Sequence, residues 1–446
     1  MSDLILKLYS LLMWLGQPLL RRKLARRGKQ EPGYLEAVEE RFGHYTQPAE
    51  AMSELVWVHA VSLGETRTAA MLLKALRARN PGLRILLTHG TATGRAEGKA
   101  LLQPGDVQVW QPWDSAGAVA RFFKHFKPRL GLLMETEIWP NLVTGAQARA
   151  MPLVLVNGRL SEKSLQQALK MSPLSFPAYA ALSAVFAQTD DDARRFRQAG
   201  AVVNGVFGNL KFDASPDDAQ QEKGKSWRRA LAQPVMMFAS SREGEEEQFL
   251  QHINATAQSE QAPPAAAADG SPQETGSRFK VLLVPRHPQR VNEVEALVRK
   301  HGLSVSRRSG WADAAGGPVN DTEASQADVW LGDSLGEMAL YYAMSDVALL
   351  GGSFAPLGGQ NLIEAAACGC PVVVGPHTFN FTEAAELAVE AGAARRVVDM
   401  EQAVRVARKW MDRPDAHAAA VAAGLAFADS NRGATERTVD ALNQFL

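Results

Sequence analysis

The fold is written most plainly in Leu55–Gly90, LVWVHAVSLGETRTAAMLLKALRARNPGLRILLTHG. Its apolar opening, Leu55–Val61, predicts a buried strand, and 64–79 predicts a helix. RILLTHG (Arg84–Gly90) predicts the next strand. Short apolar runs separated by helical stretches are the pattern of parallel βαβ units, in which helices cover both faces of a sheet.

Outward from this unit the alternation continues through VQVWQP (Val107–Pro112), LGLLMET (Leu130–Thr136), LVLVNG (Leu153–Gly158) and AVFAQ (Ala184–Gln188). After GVFGNLKFD (Gly205–Asp213) a polar helical stretch intervenes, and the alternation restarts. VMMFAS (Val235–Ser240), KVLLVPR (Lys280–Arg286), LSVSRR (Leu303–Arg308), VWLGD (Val329–Asp333), DVALLGG (Asp346–Gly352) and PVVVGP (Pro371–Pro376) form a second series. The expectation is an α/β chain of two Rossmann-like, doubly wound domains, 31–220 and 221–446, preceded by a separate segment, 1–30. Within the second domain, residues 255–277 are rich in Ala, Pro, Ser and Gln and read as a disordered insertion. Residues 312–328 read as a smaller loop of the same kind. Helices near 401–413 and 416–427 and a last one running to Leu446 close the chain.

The 446 residues carry 48 basic and 48 acidic side chains, a net charge of zero. That balance argues against a general nucleic-acid binder, which needs a basic excess. The two cysteines, Cys368 and Cys370, cannot build a disulfide framework, which suits a reducing compartment. The neutral average hides one local exception. Leu4–Leu20 reads LILKLYSLLMWLGQPLL and is followed by Arg21, Arg22, Lys23, Arg26, Arg27 and Lys29. The apolar run is shorter than the ~20 residues of a comfortable membrane span. Lys7, Ser10, Gln17 and Arg21 share one helical face around Trp14, which suits a helix lying in a membrane interface with its polar stripe outward. A short tilted span and a buried N-terminal helix are the alternatives; a signal peptide fits less well, because the charge follows the apolar run.

Ligands of doubly wound sheets bind beyond the carboxyl ends of the strands, and the chemistry-bearing residues fall there. Glu65 opens the helix after the first strand, either as a helix cap or as a general base. Glu135 and Glu137 follow another strand, and at most one of them is expected to face a ligand. Asn157, Arg159 and Lys211 lie at further strand ends. In the second half, Arg242, Arg286 and His287 can meet an anion. The glycines of Gly351-Gly352-Ser353-Phe354 and Gly358-Gly359-Gln360-Asn361 offer backbone N–H groups to a phosphate, or serve as plain turns. Glu364, in the next helix's first turn, can hold ribose hydroxyls. The spacing is neither a Walker A loop nor GxGxxG, which weighs against ATP hydrolysis and dinucleotide redox chemistry. The nine histidines are scattered, so no metal site is expected, and no G-x-S-x-G elbow occurs.

Taken together, HAVSLGET, METEIWPN, NGRLS, GNLKFD, VPRHPQR, LGDSLGEM, GGSF and GGQNLIEAAACGCPVVVGP resemble the 3-deoxy-D-manno-octulosonic acid (Kdo) transferases. These enzymes add Kdo to lipid A precursors in lipopolysaccharide assembly. The resemblance implies a GT-B fold, two Rossmann-like domains facing across a cleft, with the acceptor on the first and the nucleotide on the second. It implies CMP-Kdo as donor, a lipid A precursor (lipid IVA) as acceptor, no cofactor or metal, and an inner-membrane, cytoplasmic-face location through the N-terminal helix. Glu65 then matches the general base of an inverting transfer, with Glu135 and Lys211 stabilising the transition state. Pro285, Arg286, Gly336, Glu337, Met338, Asn361, Leu362, Ile363 and Glu364 match the CMP-binding segments, to which Arg242, His287, Gly352 and Ser353 are added by position. A sugar-nucleotide epimerase of similar architecture, and a non-catalytic nucleotide-sugar binder lacking the acids, are the competing readings.

Overall fold

The computed structural model describes residues 2–48, 54–213, 215–261, 279–311 and 317–446. They form two compact units, Met1–Asp213 with Asn431–Leu446, and Ala214–Ser430. The insertion expected at 255–277 lies outside the described residues from 262 onward; before that, the helix Glu245–Gln261 runs on into it.

The first unit holds seven parallel strands: β1 (Val56–His59), β2 (Ile85–His89), β3 (Val107–Trp110), β4 (Leu130–Met134), β5 (Leu153–Gly158), β6 (Ala184–Ala187) and β7 (Val203–Val206). Their order is β3-β2-β1-β4-β5-β6-β7. Alternation along β1 sends Trp57 into one buried cluster, with Phe122, Phe123 and Phe126, and Val56 and Val58 into the other, with Leu72, Leu73 and Leu76. Both faces are therefore covered, as a parallel sheet requires. The connection reverses direction between β1 and β4, so the crevice for a ligand opens at the carboxyl ends of those two strands.

The second unit repeats the plan with β8 (Val235–Ser241), β9 (Lys280–Pro285), β10 (Val305–Arg307), β11 (Val329–Leu331), β12 (Val347–Leu350), β13 (Val372–Val374) and β14 (Ala394–Arg396). Their order is β10-β11-β9-β8-β12-β13-β14, and the reversal lies between β8 and β12. The edge strands β7 and β14 are absent from the sequence pattern because each is short and partly exposed.

Three features depart from expectation. The final helix, Ala434–Leu442, packs in the first unit: Ala434, Val439 and Leu442 join Leu72 and Leu210 in one core, and the Asp213 carboxylate accepts the N–H groups of Gly433 and Thr435. Of 312–328, residues 312–316 lie outside the described residues, and the rest is more than a loop, since Gly317, Pro318 and Ala324 are buried and Thr322–Gln326 is helical. At the N-terminus, helices Ser2–Leu15 and Gln17–Gly28 turn polar groups of the first toward the protein. Tyr9 donates to Asp114 Oδ2 (2.9 Å) and Ser10 Oγ to Asn141 Oδ1 (2.7 Å). The opposite face of the first helix, with Leu4, Leu8, Leu11, Leu12 and Leu15, is exposed, as is Leu19 of the second. Hydrogen bonds available only on the body of the protein set this orientation. Among the described residues no helix is long and apolar enough to cross a membrane.

Candidate active site

At the crevice of the first sheet, Ser62 caps the helix Leu63–Arg79 and accepts the N–H of Glu65. The Glu65 carboxylate returns the favour, accepting Ser62 Oγ and the Val61 N–H, both at 2.9 Å. This resembles a capping box shifted by one residue, the carboxylate reaching the N–H before the cap and the cap's own hydroxyl, so the cap reading of Glu65 is realised in the structure. Gly64 sits inside the first helical turn and makes no tight turn of its own. The cap does not keep the carboxyl acidic. Burial, aided by the charges of Glu135 and Glu137, outweighs the Val61 and Ser62 hydrogen bonds and raises the Glu65 pKa to about 7.

Glu135 follows β4 with φ +58°, a left-handed conformation costly for a residue with a Cβ. Its N–H bonds Val156 O and its carbonyl accepts the Arg159 N–H, which hold the turn. The Lys211 ammonium lies 2.9 Å from its carboxylate. Glu137 accepts the Trp139 indole N–H at 2.7 Å, and its carboxyl is pushed up mainly by burial. Because β4 ends at Met134, strand alternation does not govern the two acids, and the charge of each reaches Glu65. Glu65, Glu135 and Lys211 thus come together from loops separated in sequence. Asn157 supports them without having been singled out for it: buried at φ +54°, it accepts the Leu210 N–H, one residue before Lys211. Its only local signal was a polar residue at the end of an apolar strand.

At the second sheet, Arg242 follows β8, Pro285 ends β9, and Arg286 and His287 come next. Burial, with the cations Arg242, Arg286 and Arg290, holds the His287 pKa below its usual value, so the three site residues form one basic neighbourhood. Other expected contacts read differently. The Ser353 hydroxyl is fully buried, donating to Leu350 O and accepting from Gly375 N–H, so it pins its loop. The N–H groups of Gly352, Phe354 and Ala355 all bond Glu245, so this glycine loop is no open phosphate cradle. Leu362 and Ile363 are buried and serve packing, while Asn361 Oδ1 accepts the Ile363 N–H at 3.0 Å. Glu364 is the second residue of the five-residue helix Ile363–Ala367, and burial raises its pKa. Glu337 pairs with Arg308 at 2.9 Å and accepts from Ser334; Gly336, at φ +79°, accepts Gln220 Nε2 at 2.8 Å; Met338 opens the following helix, half-buried. Among the described residues no three His, Cys, Asp or Glu side chains converge as a metal site would need.

Two doubly wound parallel sheets with charged loops at their carboxyl edges define a GT-B-type glycosyltransferase fold. A glycosyltransferase from Rickettsia africae ESF-5 shares it, with a TM-score of 0.52 at 12% identity over 88% of this chain and 99% of that one. So does a UDP-GlcNAc 2-epimerase from Neisseria meningitidis, at 0.53 and 15% identity over 87% and 99%. At those identities the likeness concerns the fold alone. The family "3-Deoxy-D-manno-octulosonic-acid transferase (kdotransferase)" matches residues 36–214. A 3-deoxy-D-manno-octulosonic acid transferase of Bordetella pertussis is 45% identical over 436 residues, 96% of each chain. The chain belongs to the Kdo transferase family.

Proposed function

We propose that this chain is an inverting, metal-independent transferase that moves Kdo from CMP-Kdo to a lipid A precursor, lipid IVA, in lipopolysaccharide assembly. The observation that carries the chemistry is the Glu65 carboxyl, poised at about 7 beside the Lys211–Glu135 pair. A base with that pKa takes a proton from a sugar hydroxyl efficiently near neutral pH. The acceptor oxygen attacks the anomeric carbon of Kdo as its proton passes to Glu65, the bond to the CMP phosphate breaks, and CMP leaves with the electron pair. Lys211 and Glu135 stabilise the charge that develops. In the second unit Arg242, Arg286 and His287 meet the departing phosphate, whose negative charge they offset. Gly336, Glu337, Met338 and the segment from Asn361 to Glu364 complete the nucleotide site, the last through its backbone and the Glu364 carboxyl.

The same reading seats the chain on the cytoplasmic face of the inner membrane. Its support is the stripe of exposed leucines from Leu4 to Leu19, with Trp14 beside it, followed by the exposed cations Arg22, Lys23 and Arg26. An apolar face with adjoining cations binds an anionic lipid surface, and the acceptor's acyl chains lie in that same layer.

Incubation with CMP-Kdo and lipid IVA tests the function. Release of CMP coupled to a Kdo-bearing lipid is the expected result. CMP release indifferent to the lipid, or none, overturns it; turnover of UDP-GlcNAc instead favours the epimerase that shares the fold.

A further inference from the structure

Glu245 lies at the reversal point of the second sheet, in the first turn of the helix Glu245–Gln261, and is only 2% exposed. Its carboxylate accepts four backbone N–H groups. Arg242 (3.0 Å) and Gly352 (2.8 Å) reach Oε2, and Phe354 (3.1 Å) and Ala355 (3.0 Å) reach Oε1. The first donor belongs to the loop after β8 and the other three to the loop after β12, more than a hundred residues later. One side chain therefore joins the two strand-end loops that border the crevice of a doubly wound sheet.

The surrounding backbone leaves these loops little freedom of their own choosing. Ser240 is held at φ +54° and Gly352 at +70°. A Cβ at Gly351 would lie 2.3 Å from Ser240 O, so the two loops approach at backbone contact. Without an acceptor between them, the buried Gly352 N–H and three partly buried ones would be left unpaired, which costs free energy that a folded protein rarely forgoes. A carboxylate is the side chain that meets all four, because both its oxygens accept and neither donates. Ser353, pinned to Leu350 O and Gly375 N–H, secures the far side of the same loop.

We infer that Glu245 is a positioning residue for the donor nucleotide: its carboxylate fixes the loop carrying Arg242 against the Gly352–Ala355 loop, and so sets the shape of the CMP site. This rests on the donor reading above. The role does not involve contact with the nucleotide. Glu245 acts through Arg242 and the backbone that it holds.

The test is CMP binding by calorimetry on the full chain, with steady-state kinetics beside it. In Glu245→Gln one oxygen becomes an NH2 that faces N–H donors, so two of the four bonds are lost. The expected result is a CMP dissociation constant and a KM for CMP-Kdo raised about tenfold or more. The KM for the lipid acceptor and kcat at saturating donor stay within about twofold, a split that general loss of structure does not produce. Hydrogen exchange at the Gly352, Phe354 and Ala355 amides rises in the same variant. Should Glu245→Gln fail to fold, Glu245→Asp keeps the charge but draws it back by one methylene, and the same donor-specific loss is expected of it. Unchanged CMP affinity in a folded variant overturns the inference, as does an equal loss in acceptor KM and kcat. A wild-type chain that binds no CMP sinks the donor reading first, a distinct outcome, and takes this role with it.

Discussion

The Lys211 ammonium sits 2.9 Å from a carboxylate oxygen of Glu135, a residue 76 positions away and held in a left-handed turn. The pair has a consequence for Glu65, whose pKa the Glu135 charge already raises. Lys211→Met removes the cation that offsets that charge, and the proton on Glu65 becomes harder to release. A general base works only when ionised, so the rate falls as pH drops through its pKa. The acid-side inflection of kcat/KM is therefore expected to move to higher pH in Lys211→Met. A pH–rate profile of both proteins checks this; an unmoved or lowered inflection counts against the arrangement.

Glu65→Gln addresses the base directly. With no proton acceptor, transfer is expected to fall at least about 100-fold. CMP binding should stay at the wild-type level, because the residues assigned to the nucleotide belong to the other unit. In the wild-type chain the acid limb should turn near pH 7, in keeping with the raised pKa of Glu65. Retained turnover in Glu65→Gln would place the base elsewhere, with Glu137 as the next carboxyl to replace.

Gly351→Ala is a packing test of the second unit. The added Cβ would lie 2.3 Å from Ser240 O and 2.7 Å from Ser241 Cα, backbone atoms with nowhere to retreat. Relief requires shifting strand ends β8 and β12 apart, at about 1–3 kcal/mol by analogy with overpacked cores. Thermal unfolding of the variant should show the loss in the second unit's transition. Gly302→Ala, at φ +76° but in open space, should lose less, because it carries conformational strain without a clash.

Most of the central strands were legible in the sequence because they are buried on both faces and so read as unbroken apolar runs. Edge strands β7 and β14 were not: they run for only four and three residues, with no buried residue in β7 and only Ala394 buried in β14, too little to set an apolar run. The placement of Ala434–Leu442 in the first unit was illegible for another reason. The helix is amphipathic wherever it docks, and only the distant Asp213 and Leu72 decide where that is. The same limit applies to the site. Glu65 and Glu135 announced themselves as acids after strands, but nothing local marks Glu245 as buried. Its four donors come from residues up to 110 positions away, and its sequence neighbours Glu243, Glu246 and Glu247 look alike. Ser353 failed in the opposite sense, since a serine beside two glycines resembles a ligand contact until Gly375 and Leu350 claim its hydroxyl.

The N-terminal helix yields the final prediction. Its Leu4, Leu8, Leu11, Leu12 and Leu15 form one exposed stripe, because Tyr9 and Ser10 bond Asp114 and Asn141 on the other side, and Leu19 of the next helix is exposed as well. A contiguous apolar face of this kind is uncommon on a surface that meets only water. Leu8 and Leu12 are more than half exposed, so docking on lipid would remove much of their area from water. Each leucine contributes up to about 1.5–3 kcal/mol when fully buried. The double variant Leu8→Ser, Leu12→Ser should therefore bind phosphatidylglycerol-containing vesicles at least about tenfold more weakly in a sedimentation assay. Arg22→Gln, Lys23→Gln, Arg26→Gln should weaken binding chiefly at low salt, where surface electrostatics are least screened. CMP affinity should be unchanged in both. Vesicle binding that survives the leucine change would mean that this stripe is not the docking face, and that the Tyr9–Asp114 contact orients the helix for another partner.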